Sequence, residues 1–450
     1  MIIRIIHFLL ALVATSMMIF VFTLTTFVSP RNASAAGLPE AEKQLVCALS
    51  SMASYEDDNG ILVRDMLKDY GWDLKVVIDE TKKANAKALI VSKTLDDGSL
   101  VKILAICGTN EIKDAEVDFR LKQVPANLKD NGDDGNKTNG EVAEDDQILV
   151  HQGFKDYSDV ILNNNLGMNL FRELASKPNE RLYLTGHSLG GAVAILTAAK
   201  LINLGAPADR MEVITFGAPA VGNKGFVNEY KDKIKLTRVT MSGDPVKKSL
   251  QLLGYVHFGE VKKYDQHHKI VKHFPHKMAV YLDCAIRDYY DERFELNPQG
   301  ITTQPQSSNS ESVYIAPIQI MKNSFNDDDF TYVMATMRDQ MRRHFPTAVY
   351  DETEYREVEE VDDLGDFDNS VKDIQAKAVK SKCKSIIVYY LQAKKIRDDK
   401  DSNYRISIEE IKYNTEGFPM AMQTASVTTR ELTTIEAAIF TMENLYRKGD

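Results

Sequence analysis

Gly186-His187-Ser188-Leu189-Gly190-Gly191-Ala192 places one serine where its hydroxyl could act as a nucleophile. The stretch contains G-x-S-x-G, a pattern that forms a sharp strand-to-helix turn and presents the serine above a sheet. Its glycines leave room for a turn too tight for side chains on either flank. A serine nucleophile needs a base within hydrogen-bond reach, a carboxylate to orient that base, and N–H donors for an oxyanion. Downstream, Asp244 stands at the end of the apolar run Leu236 to Met241, where Pro245 forces an extended turn. It is the acid best placed to orient a base. Five histidines follow: His257, His267, His268, His273 and His276. Such a group invites a metal, but no H-E-x-x-H pattern or cysteine partner accompanies it. His276 precedes an apolar helix start (Met278, Ala279, Val280, Leu282), which would hold it in a loop above the sheet. It is the candidate base, with His273 as its rival. The backbone N–H of Leu189, next to the nucleophile, is the oxyanion donor that the turn geometry requires.

These side chains need a scaffold, and the surrounding sequence supplies its pattern. Arg181 to Thr185 reads as a short buried strand running into the turn, and Gly190 to Leu204 as an Ala-rich helix stopped by Gly205. Leu100 to Cys107 is a strand ending at Gly108-Thr109, and Val213 to Phe216 another ending at Gly217-Ala218-Pro219. Leu236 to Met241 is a third. Strand and helix patterns that alternate this way predict a mostly parallel sheet with helices on both faces, and a site at the carboxyl ends of the strands. Asn127 to Gln147, rich in Asp, Asn and Gly, reads as an irregular surface insert; Asp130 to Asn136 does not fit a calcium loop.

The chain is 450 residues long, which predicts two folded domains. A polar Pro/Ser/Gln-rich stretch, Pro298 to Ser312, places a linker at 300–312 between a domain at 37–299 and a smaller α+β domain at 313–450. In the latter, strands are expected at Val313 to Ile318, Cys383 to Leu391, Tyr404 to Tyr413 and Met420 to Thr428, with helices at Phe330 to Phe345 and Thr433 to Tyr446. Its methionine stripe (Met334, Met337, Met341) reads as core packing rather than a ligand box. Formal net charge is −10, which disfavours nucleic acid and anionic membrane surfaces as partners. Residues 1–36 read as a signal peptide or membrane anchor: Ile5 to Val28 is apolar, and Ala33 to Ala36 supplies small residues suited to cleavage. Both readings export the rest of the chain. Four dispersed cysteines (Cys47, Cys107, Cys284, Cys383) form neither a disulfide framework nor a zinc site, with one bridge left open and Cys107 read as a buried thiol.

The chain resembles the class 3 lipases, the fungal-type lipase group of α/β-hydrolases. The matching pieces are Gly108-Thr109, His151-Gln152-Gly153-Phe154, the elbow, Thr215 to Pro219 with Val221-Gly222-Asn223, Arg238 through Val246, Tyr255 to Gly259, and His276 ahead of Tyr281-Leu282. They cover about residues 100 to 285 in the family's order. The resemblance implies an α/β-hydrolase with Ser188 as nucleophile, Asp244 as orienting acid and His276 as base. It also makes Thr109 an oxyanion-hole residue, through its hydroxyl and backbone N–H, beside Leu189. The expected activity is hydrolysis of carboxylic esters of acylglycerols or related lipids, with no metal or cofactor. Phospholipase A1 is the neighbouring activity, and a catalytically idle envelope binding module is the reading from another class. Two departures touch the substrate pocket: Cys107 where the family usually has Arg, and Ala220 where it often has Arg. Ile112, Ala115 and Phe119 lie where the family carries an amphipathic lid. The C-terminal region is similar, in pattern only, to small α/β domains such as the amino-terminal domain of TolB.

Overall fold

The computed structural model describes residues 37–80, 85–108, 122–126, 147–163, 166–267, 274–296, 312–359, 367–397 and 402–447. Outside them lie residues 1–36, Thr109, the Ile112 to Phe119 stretch, all of the Asn127 to Gln147 insert except Gln147, His268, His273, and the linker except for Ser312. Two helices, α1 (Glu40–Ala53) and α2 (Asp58–Asp69), lead into β1 (Asp73–Glu80), β2 (Asn85–Thr94) and β3 (Leu100–Ile106). After the short pair β4 (Gln123–Pro125) and β5 (Leu149–His151) come α3 (Gln152–Asn163), α4 (Leu166–Ser176) and β6 (Glu180–His187). The series continues with α5 (Leu189–Asn203), β7 (Met211–Phe216), α6 (Lys224–Tyr230), β8 (Leu236–Met241), β9 (Glu260–Tyr264) and α7 (Met278–Leu296).

One sheet takes the order β1-β2-β3-β6-β7-β8-β9. From β3 to β9 every pairing is parallel, while β1, β2 and β3 are joined antiparallel. A sheet covered on both faces needs strands that are apolar throughout, and β3 (LVKILAI) is buried along nearly its whole length. Its alternation sorts the two faces. Val101, Ile103 and Ala105 join the cluster under α1 and α7, whereas Leu104 and Ile106 join the one under α3 and α5. Helix α5 ends where Gly205 turns left-handed at φ +93°. All four cysteines are buried and free, so the open bridge does not form; burial pushes the Cys107 thiol up to about 11.

The C-terminal part comprises β10 (Val313–Ile315), β11 (Ile318–Met321), α8 (Asp327–His344), β12 (Val349–Tyr350), β13 (Tyr355–Val358), α9 (Phe367–Lys380), β14 (Ser385–Arg397), β15 (Ser402–Asn414), β16 (Pro419–Thr429) and α10 (Thr434–Tyr446). The single strand expected at Val313 to Ile318 is interrupted at Ala316-Pro317. Proline has no N–H for the ladder, and the parallel register against β14 slips by one residue between β10 and β11. Thr433 caps α10 in a reciprocal capping box with Glu436. Met334, Met337 and Met341 are buried against α10 and the sheet. That apolar cluster does not stop at the linker. It runs without a break from Val46 and Leu49 of α1, through Ile286 and Tyr290 of α7, to Val333 of α8 and Ile439 of α10. A polar staple crosses the same boundary: Arg287 of α7 binds Asp283 at 2.9 Å, donates to the Asp328 carbonyl at 2.8 Å, and pairs with Asp329.

Candidate active site

Ser188 lies between the end of β6 and the start of α5, at φ 56° and ψ −126°. A non-glycine residue held there costs about 1–3 kcal/mol, so its surroundings must enforce it. Ser188 N–H donates to the Phe216 carbonyl at 2.9 Å, which pins the turn to β7. Gly190 lets α5 pass close over β3: a Cβ there would stand 2.1 Å from the Ile106 carbonyl oxygen. Leu189 begins α5, and an N–H in the first helical turn has no intrahelical acceptor. It is therefore free to meet an anion, aided by the positive end of the helix dipole.

Asp244 follows β8, and His276 precedes α7. The structure brings both to Ser188. Ser188 Oγ lies 2.8 Å from His276 Nε2, and His276 Nδ1 lies 2.8 Å from Asp244 Oδ2. Asp244 and His276 are buried, while Ser188 is half-exposed. Burial alone would raise the Asp244 carboxyl, but hydrogen bonds from His276, Tyr281 and the Val246 N–H hold it below the usual carboxylate range. An ionised, immobile carboxylate fixes the imidazole with Nε2 as acceptor. That is the arrangement in which a serine can lose its proton as it attacks.

Three contributors escaped the sequence reading. Tyr281, one turn into α7, donates its hydroxyl to Asp244 Oδ2 and accepts from Met241 N at 3.1 Å. Gly217, at φ +59°, passes so close to the cluster that a Cβ would lie 2.8 Å from Asp244 Oδ2 and 3.2 Å from His276 Cε1. His187, inside the elbow motif itself, is buried beside His276 with ring centroids 4.6 Å apart. Motif position was the available signal for His187 and Tyr281, but neither residue type announces a role there. Thr109 and the rival His273 lie outside the described residues. Of the candidate histidines, His276 is the one the structure brings to both Ser188 and Asp244. Among the described residues no group of three or more His, Cys, Asp or Glu side chains could hold a metal ion. A cavity of about 540 Å³ reaches Asp244, together with Arg238, Lys248 and Lys263, but neither Ser188 nor His276 lines it. Three cationic side chains around its wall make it poorly suited to an acyl chain.

Residues 103–252 match the family described as lipase (class 3). A lipase of Caenorhabditis elegans is 43% identical over 70 residues, 15% of this chain and 20% of that protein. Secreted mono- and diacylglycerol lipase 1 of Fusarium solani is 36% identical over 111 residues, 24% of this chain and 32% of that protein. The chain thus spans a third or less of the length of these two relatives. Among solved structures, the native Rhizomucor miehei lipase propeptide complex aligns with a TM-score of 0.37 at 22% identity, over 51% of this chain and 70% of that one.

Proposed function

Because residues 103–252 match the class 3 lipase family, we propose that this chain is a serine lipase or esterase acting on acylglycerols or related lipids through an acyl-enzyme. The observation that carries the reading is the unbroken relay Asp244–His276–Ser188, with 2.8 Å at each step. Ser188 Oγ attacks the ester carbonyl carbon while His276 Nε2 takes its proton. The carbonyl oxygen becomes an oxyanion facing the Leu189 N–H, with Thr109 assigned as the second donor by resemblance. Collapse expels the alcohol, which takes the proton from His276, and leaves the acyl group on Ser188. Water then attacks under the same base and releases the carboxylic acid. Asp244 stays ionised throughout and steadies the imidazolium that forms in each half. No step needs a metal or cofactor.

Exposed apolar side chains in the segments after Asp244 and before His276 support a lipid substrate: Leu252, Leu253 and Phe274. The names of the Fusarium solani and Penicillium cyclopium relatives, both secreted mono- and diacylglycerol lipases, favour acylglycerols and export. The apolar run Ile5 to Val28 with Ala33 to Ala36 supports export independently. Residues 313–450 supply no member of the relay, and we assign them an accessory role. The test is labelling by a fluorophosphonate, whose phosphorus bonds to Ser188 Oγ as fluoride leaves. Wild-type protein should label and Ser188→Ala should not, while both keep the same melting curve. Folded wild-type protein that neither labels nor cleaves short or long esters would instead mark a binding module.

A further inference from the structure

A second hydrogen-bonded chain touches the base from behind, and acyl transfer does not use it. His187 Nε2 lies 2.7 Å from the backbone carbonyl oxygen of His276, and His187 Nδ1 lies 2.7 Å from the Tyr55 hydroxyl. A carbonyl can only accept, so the proton sits on Nε2. Nδ1 is then an acceptor, and the Tyr55 hydroxyl donates to it. Geometry therefore fixes one neutral tautomer. Burial, and after it the neighbouring His276, pull the imidazole down to about 3, so it stays uncharged across the neutral range. Tyr55 also stands close against Gly108, where a Cβ would lie 2.5 Å from its hydroxyl and 2.5 Å from the His187 carbonyl oxygen. The three groups come from the end of α1, the residue before the nucleophile, and the loop before α7.

We propose that His187 is a positioning residue that anchors the catalytic base through its main chain, with Tyr55 holding His187 in the required tautomer. The proposal rests on the reading of Ser188 and His276 as nucleophile and base. The two side-chain bonds of His276 fix the direction of its ring, but not where the ring starts. Its Cα sits in a loop, and the bond from His187 to the His276 carbonyl ties that loop to the elbow carrying Ser188. One short rigid connection thus sets the separation between nucleophile and base. Proton transfer needs about 2.6–3.2 Å between heavy atoms, and a misplacement of about 1 Å can cost 10²-fold.

The experiment compares His187→Leu, His187→Gln and Tyr55→Phe in the full chain. Gln reaches far enough to donate an N–H to the His276 carbonyl; Leu fills the space without a donor. Relative to wild type, His187→Leu should lower kcat on a soluble ester by roughly 10²-fold with KM nearly unchanged. His187→Gln should recover at least a tenfold part of that loss. Tyr55→Phe, which removes one hydroxyl, should give a smaller fall in kcat and covers the case in which His187→Leu fails to fold. Wild-type kcat in His187→Leu, equal losses in the Leu and Gln variants, or an unchanged kcat in Tyr55→Phe would overturn the proposal. Fluorophosphonate labelling runs alongside: an unlabelled wild type removes the hydrolase reading itself, whereas a labelled wild type with an equally fast His187→Leu removes only the anchor.

Discussion

Replacing Gly217 with alanine would drive a single methyl group into the cluster around Asp244. The new Cβ would lie 2.8 Å from Asp244 Oδ2, 2.9 Å from the Tyr281 hydroxyl and 3.2 Å from His276 Cε1. Ordinary van der Waals contacts settle at about 3.5–4.0 Å, so all three atoms must retreat. None can do so freely. Asp244 is tied to the Val246 N–H and to His276, and Tyr281 to the Met241 N–H. The backbone adds strain, because φ at this position is +59°. Left-handed strain of about 1–2 kcal/mol and overpacking of about 1–3 kcal/mol sum to roughly 2–5 kcal/mol of lost stability. For a cooperative unit of this length that corresponds to a fall of roughly 2–6 °C in Tm. A displaced carboxylate turns the imidazole away from Ser188, so kcat should fall about 10²-fold or more. Gly205→Ala separates strain from collision: φ is +93° there, but the nearest atom to a new Cβ is Phe171 Cε2 at 4.0 Å. It should lower Tm and leave kcat alone. The assay pairs thermal melting with steady-state hydrolysis of a soluble ester. Wild-type kcat in Gly217→Ala, or an equal kcat loss in Gly205→Ala, would refute the reasoning.

Three further outcomes follow from the geometry. Asp244→Asn should reduce kcat by about 10⁴-fold, because an amide no longer enforces the productive histidine tautomer. The Asp244 carboxyl is held below its usual range, so its stabilising contribution is present above that range and is lost as pH falls through the lowered folded value; the difference in stability between wild type and Asp244→Asn, measured by urea melts from pH 6 to 3, should therefore narrow on acidification. Deleting residues 300–450 should bare Ile286 and Tyr290 of α7 and strip Arg287 of Asp329, removing several kcal/mol at about 1.5–3 kcal/mol per large apolar side chain. A lower Tm and new binding of a hydrophobic dye are expected; an unchanged Tm would contradict it.

Much of the site was legible because its parts are marked by residues with few other uses. Glycine or proline closes β3, β7 and β8, and the elbow needs glycine for steric reasons, so strand ends and the Ser188 turn could be read directly. Asp244 stood beside a proline at such an end. His276 was harder, since only its place before α7 separated it from His273. Tyr281 was opaque because an aromatic in the apolar start of a helix is indistinguishable from core until the helix docks over Asp244. The β1–β2 pair escaped for another reason. With charged residues such as Lys75 and Lys87 among its apolar ones, it lacks the uniform run of a central strand. Pro317 was visible, but a register slip depends on β14, far along the chain. The shared core of α7, α8 and α10 was hidden in the same way, because a polar linker reports on the covalent connection and not on what packs across it.

The position of α7 carries a consequence for how such a protein can be recombined. A domain can be exchanged between proteins only along a seam that both sides survive exposing. Here the covalent seam and the physical seam differ: the first is a polar stretch after α7, the second runs along the flank of α7 itself. The helix begins two residues beyond His276, supplies Tyr281 to Asp244 near its start, and lends Arg287 and Tyr290 to the C-terminal part further along. Any chimera that keeps the N-terminal unit and substitutes another tail must therefore redesign the outer face of α7 and leave its first turn untouched. A graft planned from the linker alone would join the chain correctly and leave an open core beside His276.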